Sequence, residues 1–242
     1  MKKLILATTA LLLVTACGKG GDAAGGSKGG GAAVSAPAGT KWSETTKMTA
    51  DGGMLMGNPD APVKLIEYGA LTCSHCADFA EKSKDELRAM VDKGTVSWEF
   101  RNFMLNPFDI PAALLARCSG AAPFFPIAEQ MFATQRDWLG KAQALTPADQ
   151  QALQGMKPLQ LSQTLADKLG LVDFVQQRGV PADKAKACLA DPKAIDALVA
   201  MTDKAVNEYK VQGTPTFIIN GVTQENTASW EVLKPKLLDA GA

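Results

Sequence analysis

Cys73-Ser74-His75-Cys76 sets two sulfurs three positions apart, with the only histidine of the chain between them. Thiol-disulfide exchange begins when a thiolate attacks a disulfide sulfur, and a second thiol close by resolves the mixed disulfide, so this spacing suits sulfur redox chemistry. The attacking sulfur has to be an anion near neutral pH. Its neighbours suggest how that is arranged. Residues 63–68 form a short, mostly apolar run that ends at Gly69, which reads as a central strand. Residues 77–91 carry a helical pattern, with Phe79, Leu87 and Val91 facing inward. A strand running into a helix here places Cys73 at the helix N-terminus, where unpaired N–H groups and the positive end of the dipole stabilise a thiolate.

The elements around the pair supply further candidates. Alternation along 63–68 puts Val63, Leu65 and Glu67 on one face, which predicts a buried or half-buried carboxylate six residues before Cys73. The helix stops near Lys93-Gly94, and 95–100 is a second strand rich in β-branched and aromatic residues. Strand, helix, strand over this length predicts a parallel pair with a right-handed crossover. Residues 54–56 read as a short preceding strand and 58–62 as a turn. From 107 to 191 the pattern is helical, with helices expected at 110–119, 125–136, 147–153, 159–170 and 181–189. The cluster Phe124, Phe125, Met131 and Phe132 is read as core. A long helix at 192–210 leads to Gly213-Thr214-Pro215-Thr216, a strand at 217–219, the hairpin turn Asn220-Gly221, Val222-Thr223 and a last helix at 229–238. The fold class is therefore α/β with a mixed central sheet and an inserted α-helical subdomain.

With 242 residues, 46% of them hydrophobic and 21% charged, the chain can bury one sizeable core and an inserted subdomain. Residues 1–16 stand apart: Lys2 and Lys3 precede an uncharged apolar run and small residues, the pattern of a secretory signal too short to span a membrane. Val14-Thr15-Ala16-Cys17 resembles the lipobox of bacterial lipoproteins, which would make Cys17 a lipidated anchor; the alternative is a plain secretory signal. Residues 18–40 contain nine glycines, too little apolar area to fold, and as a flexible coil would span roughly 25–30 Å. The expected partition is a signal at 1–16, a lipidated cysteine and tether at 17–40, a first α/β part at 41–106, the helical insertion at 107–191 and a second α/β part at 192–242. Loss of the signal leaves 23 Lys and Arg against 25 Asp and Glu, which does not favour nucleic acid. An exported chain works where disulfides persist.

Metal and haem readings of C-x-x-C fit poorly. Structural zinc needs four ligands, yet there is no second C-x-x-C and the one histidine lies inside the motif. A c-type haem needs histidine directly after the second cysteine, where Ala77 stands. No metal and no cofactor is expected.

Three motifs in order, Glu67, Cys73-Ser74-His75-Cys76 and Thr214-Pro215, together resemble the bacterial DsbA-like thiol-disulfide oxidoreductases of the thioredoxin fold. The likeness covers roughly 54–104 and 192–238, with the helical insertion between them. It implies that Cys73 is an exposed nucleophile, Cys76 a buried resolving thiol, and the two together a redox-active disulfide. It implies that His75 donates a hydrogen bond or a charge to the Cys73 thiolate, and that Glu67 exchanges protons with Cys76, a structural carboxylate being the alternative. Pro215 is implied to be cis and to lie against the sulfurs, with Ser74, Thr214 and Pro215 receiving the substrate peptide. Cys118 and Cys188, 70 positions apart in the insertion, are implied to form a second, structural disulfide, with two buried free thiols as the alternative.

The enzyme expected from this likeness oxidises cysteine-containing exported proteins, is recycled by a membrane redox partner and is held at the periplasmic or cell-surface side of a membrane through its lipid. Ser74 replaces the proline common in DsbA, and Thr214 replaces a valine, which keeps reductase and isomerase readings open. A non-enzymatic thioredoxin-fold interaction lipoprotein is the reading of another class.

Overall fold

A computed structural model describes residues 34–242; the expected signal, Cys17 and residues 17–33 of the tether lie outside the described residues. A single 3-10 turn at Trp42–Glu44 leads into β1 (Thr46–Met48) and β2 (Met54–Met56). Then follow β3 (Val63–Gly69), α1 (Ser74–Asp92) and β4 (Val96–Asn102). The helical segment comprises α2 (Asp109–Arg117), α3 (Ala121–Ala133), α4 (Gln135–Gln143), α5 (Pro147–Leu153), α6 (Pro158–Leu169), α7 (Leu171–Gln176) and α8 (Ala182–Leu189). The chain returns through α9 (Pro192–Tyr209), β5 (Thr216–Ile219), β6 (Val222–Thr223) and α10 (Trp230–Asp239). Among the described residues no helix is long and apolar enough to cross a membrane.

Among the described residues six strands form one mixed sheet in the order β1-β2-β4-β3-β5-β6. At its centre β3 runs parallel to β4 and antiparallel to β5. Because residues opposite one another share a face, Glu67 lies with Phe100 and Phe217, its partners on either side. That face is covered by α1, α3 and α10: Phe79 stacks on Phe217 with centroids 4.6 Å apart, and Phe100 meets Phe124 at 5.5 Å. The other face carries Tyr68 and Ile218, which pack with Phe103, Met201 and Ala205 beneath α9. Phe124, Phe125, Met131 and Phe132 are buried, as core residues should be.

Several elements differ from the expectation. β1 was not anticipated, because Thr46-Lys47-Met48 is polar and exposed along the sheet edge and so carries no apolar pattern. The helix expected at 125–136 is two helices: α3 begins at Ala121, four residues earlier, and the chain breaks at Thr134 (φ −111°, ψ 21°) before α4. Pro123 and Pro126 both fall inside α3. α1 begins at Ser74 with Cys73 as its N-cap, so the motif itself supplies the first helical turn, as the strand-to-helix reading expects.

Candidate active site

Two strand ends bring the site together. Tyr68 at the end of β3 pairs with Thr216 at the start of β5, so the residues just before β5 lie beside those just after β3. Thr214 thereby meets Cys73, whose thiol donates to the Thr214 carbonyl at 3.2 Å. The Thr214-Pro215 bond is cis. The Thr214 hydroxyl is buried and has no hydrogen-bond partner among the described residues, so it can donate to the sulfur once the thiol has lost its proton.

Cys73 is the N-cap of α1, in extended backbone (φ −82°, ψ 121°), and no side chain caps the helix. The orphan N–H groups of the first turn are therefore left for the sulfur. The Cys73 thiol is drawn down to about 5, foremost by a hydrogen bond from the Cys76 thiol, then by Thr214 and the backbone N–H groups of Cys76 and His75, against the opposing effect of burial. Cys76, fully buried, is pushed well above the ordinary thiol value by desolvation, by its bond to Cys73 and by the nearby Glu67 and Cys73 charges. Both sulfurs are free thiols in this structure.

Glu67 is 1% exposed. Burial raises its carboxyl to about 8, with the Trp98 indole N–H, 3.0 Å from Oε2, pulling the other way and the Cys73 charge adding a smaller upward push. A carboxyl that titrates in this range, close enough to Cys76 to raise its proton affinity, can hold or accept a proton as the sulfurs change state.

Two expected roles look different in space. Cys73 is only 9% exposed rather than an open nucleophile, because Thr214 and the turn before α1 enclose it. The His75 side chain is exposed and makes no hydrogen bond to Cys73; what His75 contributes is its backbone N–H. Ser74 is exposed beside Cys73, and Pro215 is buried. Cys118 and Cys188 are joined as a disulfide that links the C-terminal ends of α2 and α8.

Residues not anticipated from the sequence hold the turn that carries Cys73. The buried Asp109 carboxylate accepts from the Thr72 N–H and hydroxyl, at 2.9 and 2.8 Å, and from the N–H groups of Leu105 and Asn106. Burial lifts its carboxyl to about 6, these hydrogen bonds opposing the rise. The Asn106 amide also donates to the Thr72 hydroxyl at 2.7 Å. From α4, Gln135 donates to the carbonyls of Leu71 and Cys73. The one sequence signal was Asp109, an acid in the first turn of a helix, where it favours the dipole. Trp98 and Gln135 meet their partners only through long-range pairing and gave no local sign.

This arrangement has counterparts in known proteins. A solved structure from Novosphingobium aromaticivorans, titled a protein-disulfide isomerase, is similar at 33% identity and TM-score 0.75 over 78% of this chain and 97% of that one. The Wolbachia pipientis protein alpha-DsbA1 shares the fold, with TM-score 0.63 over 80% of this chain and 93% of its own, at 22% identity. A Rickettsia bellii protein with the provisional name protein-disulfide oxidoreductase is 29% identical over 177 residues, 72% of this chain. That alignment spans 59% of the relative's own length. The profile of the family described as Thioredoxin matches residues 49–240, most of the described chain, and with the strand order and the cysteine-bearing helix start in place, the chain belongs to the thioredoxin family.

Proposed function

We propose that the chain is a thiol-disulfide oxidoreductase that introduces disulfides into exported proteins through Cys73 and Cys76. The single observation that carries this reading is the placing of the pair, Cys73 at the uncapped N-terminus of α1 against the cis Thr214-Pro215 segment and Cys76 buried behind it, which draws the Cys73 thiol down and pushes the Cys76 thiol up. In the oxidised state a substrate thiolate attacks the Cys73 sulfur; the Cys73–Cys76 bond breaks, a Cys73–substrate bond forms, and Cys76 takes the electron pair and then a proton. Glu67, protonated over much of the working range and near Cys76, is the group suited to give that proton. A second substrate thiolate then attacks the substrate sulfur of the mixed disulfide, and Cys73 leaves as a stabilised thiolate. Two electrons have passed from substrate to enzyme. A membrane redox partner has to remove them before the next turnover.

The Thr214 backbone beside Cys73 suits an extended substrate segment, with Ser74 and Pro215 bordering it. His75 assists through its N–H. The signal-like residues 1–16, Cys17 and the glycine-rich stretch support export to the periplasm or cell surface on a lipid anchor. The name of the Novosphingobium structure favours isomerase activity as a second reading. Incubating the oxidised protein with a reduced two-cysteine peptide tests the proposal: one peptide disulfide should form per protein, and none with Cys73→Ser. Rearrangement of a scrambled protein disulfide by the reduced enzyme, without stoichiometric oxidation of the peptide, would favour the isomerase instead.

A further inference from the structure

Gln135 opens α4 with its side chain 6% exposed, beneath the turn that joins β3 to α1. Its Nε2 carries two protons, and both are used: one donates to the Leu71 carbonyl at 2.8 Å, the other to the Cys73 carbonyl at 3.0 Å. The Cys73 carbonyl already accepts the first helical bond of α1, from the Ala77 N–H at 3.1 Å, so Gln135 fills its second lone pair. Turning the amide over would set its oxygen against two carbonyl oxygens, so the pairing fixes its orientation. Between these two carbonyls, Thr72 is held by Asp109 through its N–H. The turn is thus gripped at its carbonyls by α4 and at an N–H by α2, while the Cys73 N–H closes it onto the Ala70 carbonyl at 3.1 Å. A leucine or methionine would bury more apolar area at this position, so burial alone gives no reason for an amide here.

We infer that Gln135 is a positioning residue for Cys73: its two hydrogen bonds set the peptide planes of the turn so that the Cys73 sulfur faces the first N–H groups of α1. The inference rests on the thiol-disulfide reading of the site and adds to it a task for the helical segment, which touches the sulfur chemistry through this clamp. With the clamp gone the turn relaxes, the donors around the sulfur are no longer held in register, and the thiolate loses stabilisation.

Gln135→Met keeps the length and removes both donors. The rate of Cys73 alkylation against pH should shift its midpoint upward by about one unit, and the equilibrium with glutathione should move roughly tenfold toward the protein disulfide, since one unit of thiolate stabilisation is a factor of ten. Val63→Ala, a buried residue at the start of β3, the strand end opposite the turn, serves as the control for lost stability: it should lower the unfolding midpoint and leave the alkylation midpoint in place. An unchanged alkylation midpoint in Gln135→Met, with stability reduced as in the control, overturns the inference. If that variant does not fold, the wild-type protein labelled with ¹⁵N decides. The Gln135 side-chain amide protons should exchange slowly and shift with the Cys73 titration; rapid exchange with no response to that titration overturns the inference. A wild-type protein that alkylates at low pH yet never exchanges with glutathione would instead remove the redox reading beneath it.

Discussion

The Trp98 indole N–H reaches Glu67 Oε2 at 3.0 Å between the parallel strands β3 and β4, placing a donor on a carboxyl that is buried in the core. The donor favours the ionised form and burial favours the neutral one, and burial is the larger. Glu67 is left titrating near the pH at which the thiols work. Trp98 is itself backed by Phe125 of the helical segment, with ring centroids 5.2 Å apart.

In the disulfide state, where the cysteines do not titrate, stability should fall as pH rises toward about 8. Glu67 has a folded value above its unfolded one, so the native state binds the extra proton between about 4.5 and 8, and that advantage disappears as the proton leaves. Asp109 acts in the same direction only up to about 6, so the window from 6 to 8 isolates Glu67. The minor Cys73 contribution is absent in the disulfide, which closes the window slightly below 8. Urea unfolding of the oxidised protein should show this slope, Glu67→Gln should flatten it, and Trp98→Phe should extend it to higher pH.

The dithiol state carries an opposite trend from Cys73. Its folded value lies below the unfolded one, so the stabilisation is complete above the ordinary thiol range and is lost as pH falls through about 5. Alkylation of the native protein should follow that lower midpoint at Cys73 and spare the buried Cys76. Thr214→Val, which removes the unpartnered hydroxyl, should raise the midpoint, and a value unmoved by this change would mean that the hydroxyl does not serve the thiolate.

Asp109→Asn should cost about 1–3 kcal/mol in urea unfolding at pH 7, because an amide cannot accept from all four donors that converge on the carboxylate. Oxidation of a peptide should slow in parallel, since Thr72 directly precedes Cys73.

The Cys118–Cys188 bridge closes 70 positions of chain around the helical segment. Replacing both by alanine should lower the stability of the oxidised protein by as much as about 4 kcal/mol on the chain-entropy estimate. Exchange at Cys73 should be retained, because the bridge ties α2 to α8 and does not touch the turn.

Much of the sheet was legible because its signals are local: the apolar run of β3, the glycine after it, the Asn220-Gly221 turn and the alternation that buried Glu67 beside Val63 and Leu65. The chemistry of the pair was legible for the same reason, since strand, turn and helix start are contiguous. What was hidden depends on register between distant segments. Trp98 finds Glu67 only once β4 is aligned on β3, and Gln135 reads as an ordinary helical polar residue until α4 is packed beneath the turn. His75 misled in the other direction: proximity in sequence suggested a side-chain donor, whereas the helix turns its ring to solvent and offers its N–H. β1 was missed because an exposed edge needs no apolar face.

The equilibrium of the Cys73/Cys76 pair with a glutathione buffer at pH 7 tests most directly whether a stabilised Cys73 thiolate makes this site an oxidant. Stabilising the thiolate favours the dithiol form, so the expected potential lies toward that of DsbA, about −120 mV. A value near that of thioredoxin, about −270 mV, would contradict the oxidase reading and leave a reductase.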